Sequence, residues 1–330
     1  MSTTKRIPEL DSLRGFAAVA VVLFHYFYNY DKHYGHNFAI SGLFELGQAG
    51  VHLFFIISGF VIYWTLIKSE NIFQFAWSRF SRLYPVYWAA VFISFTSTLL
   101  IGPPDRTVGV TDALLNLTMF HEYVGIAHVD RVYWTLSIEL AFYILVGSAL
   151  FLGLTKYTFQ ICLLWITLAL ITRLFNLHLG LIHKALILNW CHLFIAGIMF
   201  YLIWSKSTNI KIAYTILALS AVTSYISNSG FTCILVLSFY LLFPLAIFGK
   251  MQFLNHSILI WFGKISYPLY LVHQNIGYGI IMQFYAKEIS PVISIPVAIL
   301  FSIFIAFLLN KYVETPSMKA LRNYAKRSHD

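Results

Sequence analysis

Charge is what this sequence has least of. Only 11% of its 330 residues are Asp, Glu, Lys or Arg, against about a quarter in an ordinary soluble domain. That shortage excludes a water-soluble globule with a charged surface. Cysteine is scarce too: Cys162, Cys191 and Cys233 all fall inside apolar stretches. They read as small buried hydrophobes, so neither a disulfide framework nor a metal-ligand set is expected. No basic run is long enough to serve as a nucleic-acid footprint, although the formal net charge is +9. There is no repeat of fixed period and no low-complexity tract. The first apolar run carries Arg14 and His25 and ends in no small-residue cleavage site, so it reads as a retained helix rather than a signal peptide.

What the chain has in quantity is apolar and aromatic surface. Hydrophobic residues make up 59%, with 21 Tyr, 30 Phe and 8 Trp, and the mean hydropathy is +0.74. At about 20 apolar residues per crossing, this predicts an all-α polytopic integral membrane protein, its helices anchored by aromatic belts. Runs long enough to cross a bilayer lie near 12–30, 47–67, 83–102, 132–153, 158–175, 186–204, 211–227, 230–249, 257–283 and 291–313. Ten helices are therefore expected, forming one transmembrane domain over 1–330 with no appended soluble domain. Gly102-Pro103-Pro104 and Ser290-Pro291 punctuate two of the boundaries. Asn228, Ser229 and Gly230 alone separate the seventh run from the eighth.

Loop Lys and Arg set the expected orientation. With the N-terminus in the cytoplasm, the inner segments hold Lys5, Arg6, Lys68, Arg79, Arg82, Lys156, Lys206, Lys211, Lys250, Lys264, Lys319, Arg322, Lys326 and Arg327. The outer ones hold only Lys32, Arg106, Arg131, Arg173, Lys184 and Lys287. The imbalance places both termini inside and makes 31–46 and 103–131 long outer loops.

Against this background each ionisable group within a span is a functional candidate, because burying it in hydrocarbon is costly. In DSLRGFAAVAVVLFHY, eleven residues at about 100° each return His25 to the face of Arg14, three turns further along. An imidazole there brings a proton that titrates near neutral pH. The packing alternative pairs Asp11 with Arg14 at i, i+3 and has His25 bond a neighbouring helix. In WTLSIELAFY, Thr135, Glu139 and Tyr143 fall at i, i+4 and i+8, and Glu139 is the only carboxylate well inside a span. In SYPLYLVHQ, Ser266, Tyr270 and His273 fall on one face, with Pro268 expected to kink the helix and free a carbonyl. Either interhelical hydrogen bonding or a substrate lining accounts for that face. At 1.5 Å per residue, His25 and Glu139 lie ~20 Å and His273 ~24 Å from the inner surface. His52, in GVHLFFIISGF, reaches a similar level.

Arg79 and Arg82, in FAWSRFSRLYPVYW, are expected just before the third helix at the inner interface. They are either positive-inside anchors or, as guanidinium forks three residues apart, ligands for a phosphorylated cytoplasmic molecule.

In order along the chain, Arg14 with His25, FFIISGF at 54–60, RFSRLYP at 79–85, WTLSIE at 134–139, SYPLYLVH at 266–273 and ETP at 314–316 resemble the membrane-bound acyltransferase-3 family, which includes bacterial O-acyltransferases of surface polysaccharides. The resemblance implies an acyl-CoA donor, usually acetyl-CoA, and an acceptor hydroxyl on a glycan or lipid-linked glycan such as O-antigen, capsule or exopolysaccharide. It also implies a place in the bacterial cytoplasmic membrane and functional weight on Arg14, His25, Arg79, Arg82 and Glu139. Where many relatives carry an acid between the Gly-Val and Phe-Phe of the second helix, this chain has His52.

The reaction so implied is transfer of an acetyl group from acetyl-CoA to a carbohydrate hydroxyl, without a metal and without nucleic acid. An alcohol is a poor nucleophile at neutral pH, so a general base must take its proton, and neutral His25 suits that task. Arg14 would guide the donor from the same face, with Arg79 and Arg82 holding its nucleotide end. Glu139 would orient or polarise the imidazole, while His52, Ser266, Tyr270 and His273 would line the acceptor cavity. Direct transfer and an acetyl-His25 step both remain open. Two other classes fit part of the pattern. A transporter would use buried His, Glu and Arg as a path, but it predicts broken helices in paired halves, and no such symmetry is visible. An acyltransferase acting on a small hydrophobic molecule is the other.

Overall fold

The structure, a computed structural model, describes residues 7–36, 41–206 and 209–327. Lys5 and Arg6, counted above as inner anchors, and residues 37–40 of the first long loop lie outside the described residues. Among those residues the chain is helical with no strand, and a helix answers each of the ten apolar runs. These are α1 (Pro8–Tyr34), α2 (Gly50–Lys68), α3 (Ile72–Ile101), α4 (Trp134–Phe151), α5 (Thr158–Leu174), α6 (Cys191–Trp204), α7 (Ile210–Ser227), α8 (Gly230–Ile247), α9 (Ser257–Tyr285) and α10 (Pro291–Leu309). Eight helical stretches among the described residues are long and apolar enough to cross a membrane, and the chain is an integral membrane protein. The other two are α6 and α9. With 14 residues, α6 is only about 21 Å long. In α9, Lys264, Ser266, His273, Gln274 and Asn275 dilute the hydropathy of a 29-residue helix.

One boundary differs from expectation in a way that matters for the site. The third helix starts at Ile72, not near residue 83, and runs for 30 residues. At 1.5 Å per residue that is about 45 Å, well beyond a core of about 30 Å. Its first turns hold Gln74, Ser78, Arg79, Ser81 and Arg82, whose polarity masks them in a search for apolar runs. Arg79 and Arg82 are thus corrected from a pre-helical segment to one face of the helix itself. Local chemistry explains other boundaries. Ser290 accepts a hydrogen bond from Val292 N at 3.3 Å and is followed by Pro291 at the first helical position, an N-cap with the proline where its missing N–H costs nothing. Gly230 opens α8 with φ of +54°, a conformation that a side chain would strain.

The chain forms two compact units, each assembled from three segments. One contains Met1–Ala17, Ala49–Ala76 and Ile138–Trp261, and the other Ala18–Gln48, Trp77–Ser137 and Phe262–Asp330. The core of the first is α6, in which every residue from Cys191 to Ile203 is buried. It packs on α2 through glycines. A Cβ added at Gly197 would fall on the Ile56 carbonyl and the Gly59 Cα, and one at Gly59 on the Phe194 backbone. Without a solvent to drive helices together, such small-residue seams let backbones approach closely enough for dispersion to hold them. Ser220 of α7 adds a polar tie, donating to His192 O at 2.6 Å and sharing a 2.8 Å bond with Tyr240 Oη of α8.

This seam makes a prediction. Gly197→Ala meets rigid backbone and should lower the thermal midpoint in detergent by several degrees, or stop the protein accumulating, at a cost of about 1–3 kcal/mol. Gly147→Ala in α4 meets only the side-chain ends of Ile72 at 3.0 Å and Phe75 at 3.4 Å, and should be tolerated. Equal thermal midpoints for the two variants would refute the close-packed seam.

Candidate functional site

His25 sits in α1 where the helix widens. Residues Phe24–Asn29 form a π-helical turn, and Tyr30 N donates to His25 O, five residues back. Such turns carry one extra residue, re-aim the side chains around them and concentrate at functional sites. His25 Nδ1 lies 2.9 Å from Val21 O and 3.0 Å from His273 Nε2 of α9, with the two rings tilted by 62°. His273 is fully buried, and its Nδ1 lies 2.9 Å from Tyr270 O and 3.1 Å from Leu269 O. His25 is only half-buried.

The neighbour of His25 fixes this meeting. Tyr26 Oη donates to His273 O at 2.6 Å and shares a 2.7 Å bond with Ser302 Oγ of α10. Its ring occupies the notch left at Gly277, where a Cβ would collide with the phenol. Pro268 acts as its chemistry requires. Lacking an N–H, it leaves Lys264 O without its usual helical partner, and Asn310 Nδ2 donates to that oxygen at 3.1 Å. The rest of the α9 face divides. Tyr270 Oη accepts from Thr135 Oγ1 at 2.9 Å and donates to Val132 O at 3.3 Å, while Ser266 Oγ donates to Gly263 O within its own helix.

A second layer holds α9 in place. Asp130, fully buried, accepts from Asn275 N at 3.1 Å and Val132 N at 3.3 Å. Burial raises its carboxyl to about 6, against the pull of the Asn275 amide and the Arg106 guanidinium. Asn275 Nδ2 donates to Thr98 Oγ1 and Val129 O, and Arg106 Nη1 reaches Asn275 Oδ1 at 3.4 Å. The Arg106 guanidinium lies 4.5 Å over the Tyr278 ring, and its Nε donates to Tyr34 Oη at 2.8 Å. In the same connection His121 Nε2 and His128 Nδ1 lie 2.7 Å apart. Burial first, and then the neighbouring imidazole, depresses His121 to about 4.

The structure thus brings His25 and His273 into direct contact. Arg79 and Arg82, in the same unit, stand three residues apart on α3. Arg79 is buried with Nη2 donating to Ser78 Oγ at 3.1 Å, and Arg82 is half-buried. The other sequence-derived residues belong to the first unit. Glu139 accepts from Tyr143 Oη at 2.6 Å and Ser58 Oγ at 3.2 Å. His52 Nε2 lies 3.1 Å from Asn228 Oδ1, with its ring against Trp190. Arg14 is half-buried on α1.

Sequence reasoning missed Tyr26, Arg106, Asp130 and Asn275. The polar run His273-Gln274-Asn275 inside a span was a visible signal for the last of these. Arg106 and Asp130 carried none, because a charge in a loop reads as solvated, whereas both are buried here.

Comparison with known proteins supplies the chemistry. The model of an acyltransferase domain, the acyltransferase-3 family, matches residues 7–311. The O-acetyltransferase OatA of Staphylococcus aureus is 25% identical over 97% of this chain and 58% of its own length. Acyltransferase MdmB of Streptomyces mycarofaciens is 31% identical over 42% of this chain and 38% of its own length. Exopolysaccharide production protein ExoZ of Rhizobium meliloti is 29% identical over 36% of this chain and 37% of its own length. These alignments therefore cover between about a third and three fifths of those relatives. No solved structure matches the chain.

Proposed function

Because this chain belongs to the acyltransferase-3 family, we propose that it transfers an acetyl group from acetyl-CoA to a hydroxyl of a surface glycan or its lipid-linked precursor in the bacterial cytoplasmic membrane, with both termini cytoplasmic. Family membership supports acyl transfer. The glycan acceptor is favoured by the relatives named for O-acetyl transfer and for exopolysaccharide production.

The observation that carries the residue assignment is the pair His25–His273. A fully buried imidazole backs a half-buried one, so of the two His25 is the group able to meet a substrate. As the acceptor oxygen attacks the thioester carbonyl carbon, His25 takes its proton. The new C–O bond forms, the C–S bond breaks, and the coenzyme A thiolate leaves with the proton that His25 returns. Arg79 and Arg82 receive the phosphates of the donor and Arg14 guides it. His52, Ser266 and Tyr270 serve the acceptor side. The reaction needs no metal in this scheme.

Structural analysis of surface polysaccharide from cells with and without the gene tests the reading, with an O-acetyl group missing from the glycan of the deleted strain as the expected result. Identical O-acetylation in the two strains would overturn the glycan acceptor. A second test addresses the donor. Each guanidinium–phosphate contact is a charge-assisted bond worth roughly 1.5–3 kcal/mol. Arg82→Ala should therefore raise the KM for acetyl-CoA about ten-fold or more. An unchanged KM would return Arg79 and Arg82 to the role of topology anchors.

A further inference from the structure

The hydrogen-bond partners of the two imidazoles determine where their protons are. His273 Nδ1 faces two carbonyl oxygens, Tyr270 O at 2.9 Å and Leu269 O at 3.1 Å. A carbonyl only accepts, so Nδ1 carries the proton, and Nε2 of the neutral ring is a lone pair. That lone pair points at His25 Nδ1, 3.0 Å away. His25 Nδ1 also lies 2.9 Å from Val21 O. Two acceptors therefore converge on one nitrogen, which must carry the proton and donate to both. The lone pair of His25 is left on Nε2, to which no described residue donates.

We propose that His273 is the positioning residue of the transfer, holding His25 as the Nδ1-protonated tautomer with its basic Nε2 turned to the acceptor hydroxyl. This rests on the reading of His25 as the base. The Val21 carbonyl belongs to the same helix and fixes the tautomer only. His273 comes from a different helix and so fixes the direction of the ring as well. Tyr26, itself bonded to Ser302, holds the His273 carbonyl, which keeps this acceptor in place. When Nε2 receives the acceptor's proton, His25 becomes an imidazolium and its Nδ1–H becomes a stronger donor to His273 Nε2. His273 keeps its own proton on Nδ1 throughout, and Nε2 of His25 gives up the transferred proton to the departing thiolate. A carboxylate in the place of His273 would do the same task at the expense of a buried charge, whereas a neutral imidazole avoids that desolvation.

Two amides separate positioning from packing. In His273→Gln the side-chain amide reaches the level of Nε2 and its oxygen can accept from His25. In His273→Asn the amide reaches only the level of Nδ1, keeping the bonds to the Leu269 and Tyr270 carbonyls and leaving His25 unsupported. We expect His273→Asn to lose about 10²-fold or more in kcat with the KM for acetyl-CoA within about two-fold, and His273→Gln to stay within about ten-fold of the parent. Parental kcat in His273→Asn, or an equal loss in both variants, would overturn the proposal. His25→Ala run in parallel keeps the two readings apart. Retained activity there defeats the base itself, whereas an inactive His25→Ala beside a fully active His273→Asn defeats only the positioning role. If His273→Asn fails to accumulate, nitrogen-15 spectra of histidine-labelled parent protein decide the question, with protonated Nδ1 expected at both rings and protonated Nε2 at His25 contradicting it.

Discussion

His25→Ala should accumulate in the membrane at the parental level and transfer acyl groups at a rate lower by about 10²–10⁴-fold, the range that removal of a general base produces. The first half of that expectation follows from burial. His25 is half-buried, and its ring bonds only Val21 O of its own helix and the His273 imidazole. The clamp that joins α1 to α9 runs through Tyr26 instead, so truncating His25 leaves the helix packing in place. The second half follows from the weakness of an alcohol nucleophile, which without a base must attack the thioester still bearing its proton. Acyl transfer by purified protein in detergent or vesicles, normalised to the amount of folded protein, measures both. A well-expressed His25→Ala variant with near-parental turnover would remove the base from the scheme.

Gly277→Ala should cost the second unit both stability and activity. Its Cβ would land on the Tyr26 phenol, and neither partner can yield cheaply. The glycine lies in the middle of a 29-residue helix, while Tyr26 is fully buried and tied to His273 O and Ser302 Oγ. Relief requires α1 to move off α9, which takes His25 away from His273. Overpacking of this kind costs about 1–3 kcal/mol, so the thermal midpoint and the acyl-transfer rate should fall together. Gly279→Ala, two residues on, meets the Ile101 carbonyl at 2.9 Å and the Ile101 side chain at 3.0 Å, a shallower overlap than that at Gly277 and against the last residue of α3. The milder loss should be there. Adding Tyr26→Leu to Gly277→Ala should restore much of the thermal stability, because the smaller side chain vacates the notch. It should not restore the rate, because the clamp on His273 is gone. If Gly277→Ala melts and turns over like the parent, the notch does not set the spacing of the two helices.

The limits of sequence reading show clearly at α3. A hydropathy search starts this helix near residue 83, because the turns before it are polar. Nothing in Gln74, Ser78, Arg79, Ser81 or Arg82 opposes helix formation, so the backbone is already helical from Ile72. Hydropathy reports where a segment can lie in hydrocarbon, and helical structure extends past that limit. The opposite error occurs in the 102–133 connection, where Arg106 and Asp130 read as solvated loop charges. Their burial depends on Asn275, Tyr34 and Tyr278 arriving from distant parts of the chain.

By itself the sequence determined the class of this protein. Apolar runs too long for a soluble core and too poor in charge for a soluble surface specify membrane helices, and every one of the ten runs became a helix. It also marked His25, Glu139 and His273 as groups too costly to bury without a purpose. Pro268 was read as freeing a carbonyl, and that carbonyl is taken up by Asn310. What only the tertiary structure decided is which of these groups meet. His25 and His273 are separated by 248 positions, and their contact depends on a π-helical turn and on one missing side chain at Gly277. Hydrophobic periodicity encodes which face of a helix is buried, but the register and partner of two packed helices come from the fit of particular side chains, and that fit exists only once the chain has folded.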